Sequence, residues 1–152
     1  MNERTISGAE EPASAELQSR ILPPHRILVV EDDSTIRRLN TQILLRSGYE
    51  VDDVEDGAVA WDALQLNRYD LIITDHKMPR MSGVELIEKL RAARMALPVI
   101  MATGMLPKEE FARNPSLEPD ATLIKPYTIY ELLEKVQEVL RTTTGACGVN
   151  TP

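Results

Sequence analysis

The chain switches repeatedly between two hydrophobic periods. Short apolar runs rich in β-branched residues alternate with stretches whose apolar positions recur every three or four residues. The runs at 27–30, 71–74, 98–102 and 121–124 read as buried strands. A weaker run at 49–54 has polar residues between Val51 and Val54, which places it at a sheet edge. After the first run, Ser34 reads as a helix N-cap, with Ile36, Leu39, Ile43 and Leu44 facing inward and Ser47-Gly48 as the stop. Asp56-Gly57 reads as a turn before a helix over 58–66, whose inward residues are Ala60, Trp61, Ala63 and Leu64. A third helix begins near Val84 and buries Leu86, Ile87, Leu90 and Ala93. Between 105 and 120, Pro107 suits the first turn of a short helix, and Pro115 and Pro119 forbid a long one. Thr128 with Glu131 makes a capping box for a last helix, striped by Ile129, Leu132, Leu133, Val136, Val139 and Leu140.

Strand and helix thus alternate five times without an internal repeat. This pattern predicts an α/β fold: a five-stranded parallel sheet with helices on both faces, doubly wound and flavodoxin-like, in the order 2-1-3-4-5. The folded domain is expected over 25–141. Residues 1–24, rich in Glu, Ser and Ala and closed by Pro23-Pro24, read as a flexible leader. Residues 142–152, rich in Thr and Gly, read as a flexible tail.

Composition narrows the function classes. At 152 residues, 43% hydrophobic and 27% charged, the chain is an ordinary single globular domain. A net charge of −7 argues against non-specific nucleic-acid binding, so no DNA partner is expected. No apolar run reaches the roughly 20 residues of a membrane span, and the N-terminus lacks the apolar core of a signal peptide. Neither membrane insertion nor export is expected, and the location is read as cytoplasmic. Cys147 is the single cysteine and makes no intramolecular disulfide.

The candidate chemistry lies at the strand ends. Glu31, Asp32 and Asp33 follow the first strand, Asp75 the third, Thr103 and Gly104 the fourth, and Lys125 the fifth. In an open parallel sheet these carboxyl ends share one edge, where such folds bind ligands. Carboxylates gathered there repel one another, and an all-oxygen set suits Mg²⁺. Asp75 is then placed to attack phosphorus as a carboxylate nucleophile. Lys125 offers a point charge and Thr103 a hydroxyl to the phosphoryl oxygens, while Gly104 leaves its N–H and the approach path open.

Four segments in order, ILVVEDD at 27–33, DLIITDHKMPRMSG at 70–83, PVIMATG at 98–104 and LIKPY at 123–127, resemble the receiver domains of two-component response regulators. The resemblance covers residues 26–141. It implies that Asp75 is the phosphoacceptor, charged by a sensor histidine kinase or a phosphotransfer protein. It also implies that Asp32 and Asp75 ligate Mg²⁺ with the backbone carbonyl of Lys77, and that Glu31 acts mostly through water. Thr103 becomes the switch hydroxyl, Lys125 the phosphate-pairing lysine, and Lys125-Pro126 a cis bond. Asp33 is left as a helix-start charge. On this reading the chain is a signalling switch that assists its own phosphorylation and dephosphorylation and contacts a downstream protein, with a homodimer possible. No stretch remains for a DNA-binding or enzymatic domain, so the receiver stands alone or is part of a larger chain.

Two departures stand out. Thr122 occupies the place of the family's aromatic switch residue, with Tyr127 as a different candidate, and the Pro-broken 105–120 stretch replaces the fourth helix. Lys77 and Met105 stand where the family tunes phosphoryl loss. His76 reads as an exposed loop residue. The alternatives are a receiver-like binding module that is not phosphorylated and a Mg²⁺-dependent phosphohydrolase. The latter lacks a second Asp just after Asp75, because position 77 is Lys.

Overall fold

The computed structural model describes residues 23–149, with side chains through residue 143. The expected leader therefore lies outside the described residues except for Pro23 and Pro24. Five strands, β1 (Arg26–Val30), β2 (Glu50–Val54), β3 (Leu71–Thr74), β4 (Val99–Thr103) and β5 (Ala121–Ile124), form one parallel sheet in the order β2-β1-β3-β4-β5. The helices are α1 (Ser34–Arg46), α2 (Gly57–Leu66), α3 (Gly83–Ala92), the short α4 (Lys108–Arg113) and α5 (Ile129–Val149), with a 3₁₀ turn at Pro115–Leu117. The expected fold class and strand order are the observed ones.

Alternating strand residues feed two cores. Leu28, Val30, Ile72, Val99 and Met101 face α2 and α3, where they meet Ala60, Leu64, Leu86, Ile87 and Leu90. Ile27, Val29, Leu71, Ile73, Ile100 and Ala102 face the opposite layer and pack with Leu44, Leu132, Val136 and Leu140 of α1 and α5. Strands buried on both faces read as continuous apolar runs, which is why β1, β3 and β4 are legible in the sequence. β2, at the edge, carries the exposed and half-buried residues Glu50, Asp52 and Asp53.

Several local expectations are corrected. The cap of α1 is Asp33, not Ser34: its Oδ1 accepts from the Thr35 and Ile36 N–H groups at 2.9 and 3.0 Å. Asp56 likewise caps α2 and is not simply a turn residue, and Gly57 is the first residue of that helix. The stripe of α1 is only partly inward. Leu44 is buried, Leu39 is 52% exposed, and the buried polar residue is Asn40, whose Nδ2 donates to the Tyr127 hydroxyl at 2.7 Å. Leu39, Ile36 and Ile43 instead line an open apolar groove with Pro126, Tyr127 and Ile129. The last helix extends past Arg141. It continues to Val149, with the Thr143 hydroxyl returned to the Val139 carbonyl at 2.9 Å, while residues 150–152 lie outside the described residues. The capping boxes at Ser82–Glu85 and Thr128–Glu131 are both formed. Among the described residues no helix is long and apolar enough to cross a membrane.

Candidate functional site

The sheet ladder itself sets the site. Glu31, Asp75 and Lys125 each follow the last residue of a strand, and each backbone N–H makes one further ladder bond. Glu31 donates to Val54, Asp75 to Val30, and Lys125 to Thr103, at 3.1, 3.1 and 3.0 Å. The backbones of Glu31, Asp75 and Lys125 are thereby held at one edge of the sheet. Thr103, still within β4, ends the fourth strand.

Lys125 Nζ donates to Glu31 Oε1 and to Asp75 Oδ2, each at 2.7 Å. Asp75 Oδ1 accepts from its neighbour's amide, His76 N–H, at 2.6 Å. Glu31 Oε2 accepts from Asp33 N–H at 3.2 Å, and the Glu31 carbonyl accepts from Arg37 Nη1 at 2.7 Å. Glu31 and Asp75 are 3% and 8% exposed, whereas Asp32 faces solvent. Each of these three acids places a carboxylate oxygen within 4.8 Å of the others. Two of these three carboxylates, Glu31 and Asp75, therefore share the Lys125 ammonium.

Burial pushes the Glu31 carboxyl up, and the shared bond from Lys125 does not bring it back. Burial would lower the Lys125 ammonium, but its hydrogen bonds to Asp75 and Glu31 hold it above its ordinary value. The donor set is all-oxygen, part-buried and anionic, with Asp32 facing solvent, and this chemistry fits a hard divalent cation.

Other expected residues fall differently. Thr103 is buried, and its hydroxyl lies 3.4 Å from both the N–H and the carbonyl of Met105, turned to the following loop. The Lys77 side chain is exposed. Gly104 is exposed, and a Cβ there would meet no protein atom within 4 Å. Lys125–Pro126 is cis. His76 is not an exposed loop residue. Its side chain is 14% exposed, with Nε2 3.8 Å from Glu110 Oε1 of α4, and both residues line a cavity of about 370 Å³ with Met105, Leu106 and Lys108. Arg80 also escaped the sequence reading. Its Nε and Nη2 donate to Asp56 Oδ2 at 2.9 and 2.6 Å across 24 residues. The only sequence hint of that pair was opposite charge in two loops leading into neighbouring helices.

A family model described as the response regulator receiver domain matches residues 27–137. The chemotaxis protein CheY homolog of Campylobacter jejuni is 38% identical over 124 residues, covering 79% of this chain and 95% of that protein. The response regulator MprA of a Mycobacterium species is 34% identical over 129 residues, covering 85% of this chain and 56% of that protein, so the chain spans about half the length of some curated relatives it matches. Among solved structures, the response regulator protein TrrA of Thermotoga maritima, in complex with Mg(2+)-BeF, superposes with a TM-score of 0.66 at 33% identity, covering 76% of this chain and 98% of that one. The family match runs from inside β1 to inside α5 and so takes in every strand that carries the acidic cluster. The chain belongs to the receiver-domain family of two-component response regulators.

Proposed function

We propose that the domain accepts a phosphoryl group on Asp75 from a sensor histidine kinase or phosphotransfer protein, and that the modified state is read by a downstream protein in the cytoplasm. The observation that carries this reading is the Lys125 ammonium bridging Asp75 and Glu31 at 2.7 Å beside a solvent-facing third acid. A related receiver is known with Mg²⁺ and a beryllofluoride group bound, which is the charge pattern this cluster invites. Here Asp32, Asp75 and the carbonyl of Lys77 would hold Mg²⁺, with Glu31 acting through water. When bound, the ion offsets the charge of the carboxylates and of the incoming phosphoryl group.

The residues of the chain do the rest. An Asp75 carboxylate oxygen forms the new bond to phosphorus as the bond to the donor imidazole nitrogen breaks, and the nitrogen keeps the electron pair. Lys125 is already within hydrogen-bond reach of Asp75 and stays to pair with a phosphoryl oxygen. The new charge and acceptor oxygens draw the Thr103 hydroxyl away from Met105, and the 104–120 segment follows as a population shift.

The test is incubation with acetyl phosphate, or with beryllofluoride, in the presence of Mg²⁺. Mass spectrometry should show one phosphoryl group on Asp75, and Asp75→Asn should carry none. A protein that binds neither Mg²⁺ nor beryllofluoride is instead a constitutive binding module.

A further inference from the structure

The loop between β3 and α3 is closed at two places. At its base, Gly83 N–H donates to the His76 carbonyl at 2.8 Å. A Cβ on Gly83 would run into the carbonyl oxygen of Asp75, so the chain returns directly past the phosphoacceptor. At its tip, Met81 N–H donates to the Pro79 carbonyl at 2.7 Å, closing a three-residue turn centred on Arg80. Arg80 has a φ of 69°, a conformation that glycine or asparagine takes at lower cost. An arginine in that position calls for a reason in its side chain.

That reason is Asp56. Its carboxylate is 2% exposed, and both oxygens are used. Oδ1 accepts from Ala58 and Val59 N–H at the start of α2, and Oδ2 accepts twice from Arg80. Met81 completes the contact, since a Cβ on Gly57 would stand 2.5 Å from the Met81 carbonyl oxygen. The loop tip is thus seated on the first turn of a neighbouring helix.

We infer that Arg80 and Asp56 form a positioning pair that fixes the β3–α3 loop, and through it the Lys77 carbonyl, for the divalent cation. This rests on the metal reading above. Lys77 lies between the two closures, one residue from the base and three from the tip. A backbone ligand cannot be reoriented by a side-chain rotamer, so its direction depends on how firmly its loop is held. Partners outside the ligand set commonly change metal affinity by about tenfold or more when removed.

The experiment is Mg²⁺ titration by calorimetry, with thermal unfolding of the same samples without metal. Arg80→Gly removes the guanidinium and relieves the unfavourable φ together, so its fold is at ease while its Mg²⁺ Kd should rise about fivefold to tenfold. Asp56→Asn keeps an acceptor for the α2 cap but loses the charge, and should raise Kd by a similar factor. The double variant should bind no more weakly than the worse single one, because the two residues act as one device. Arg80→Lys should recover part of the affinity. Kd values within twofold of wild type in both single variants would overturn the inference and leave the pair as a plain structural tie. Wild-type protein that binds no Mg²⁺ would instead remove the metal reading itself, and this inference with it.

Discussion

Two segments flank Asp75 on the same edge of the sheet, and they are held in opposite ways. The 76–83 loop is closed at its base by Gly83 and His76, tied at its tip by Arg80 and Asp56, and continued into α3 through the Ser82–Glu85 capping box. The 104–117 segment has an α4 of six residues with no side-chain cap and no buried residue, and Leu117 in the 3₁₀ turn is its one fully inward side chain. Met105 is 69% exposed, and Thr103 holds it only through contacts of 3.4 Å. On the proposed reading, the flank that would orient the metal is tied at base and tip, and the flank that would report phosphorylation has fewer buried side chains, as segments that rearrange commonly do.

Identical substitutions on the two flanks test this most sharply. Gly83→Ala forces a side chain into the Asp75 backbone and should cost about 3 kcal/mol in urea unfolding. Gly104→Ala meets open space and should stay within about 0.5 kcal/mol of wild type. Equal costs would mean that the flanks are not built differently.

Next is the one fully buried side chain of the 104–117 flank. Leu117→Ala should destabilise by about 2 kcal/mol and speed amide exchange through 105–117. Glu110→Ala, on the partly exposed face of α4, should stay within about 0.5 kcal/mol.

Beryllofluoride with Mg²⁺ offers a reversible version of the same contrast. Hydrogen exchange should change by about tenfold across 104–120, the scale of a modest coupling free energy. It should change little over the α2 amides that Asp56 caps. Unchanged protection across 104–120 would remove the proposal that this segment carries the output.

The smallest expected effect concerns pH. Burial raises the Asp56 carboxyl, but hydrogen bonds from Val59 and Arg80 outweigh it and hold the carboxyl below its ordinary value. A carboxylate depressed in the folded state stabilises the fold above its unfolded pKa and loses that contribution as pH falls through the folded one. Wild type should therefore lose stability below about pH 4 through this group. Asp56→Asn should show a shallower acid limb in denaturant unfolding measured from pH 5 to 2.

The apolar pattern along the chain was enough to specify the sheet, its order and the edge on which Glu31, Asp32, Asp75, Thr103 and Lys125 lie. Strands buried on both faces must be written as unbroken apolar runs, and parallel connections place every strand's carboxyl end on the same side. Which polar groups meet became visible once the elements were packed together. Periodicity describes one element against its own core. It does not tell Arg80 that its partner lies 24 residues back, or Asn40 that Tyr127 lies 87 residues on. It marked Leu39 as inward because a Leu at that spacing usually is, but the groove beside Tyr127 leaves it half in water. His76 read as a loop residue because nothing in 76–83 shows that α4 folds over it. Such contacts depend on distances between elements that no local pattern encodes, and they decide how firmly each side of the site is held.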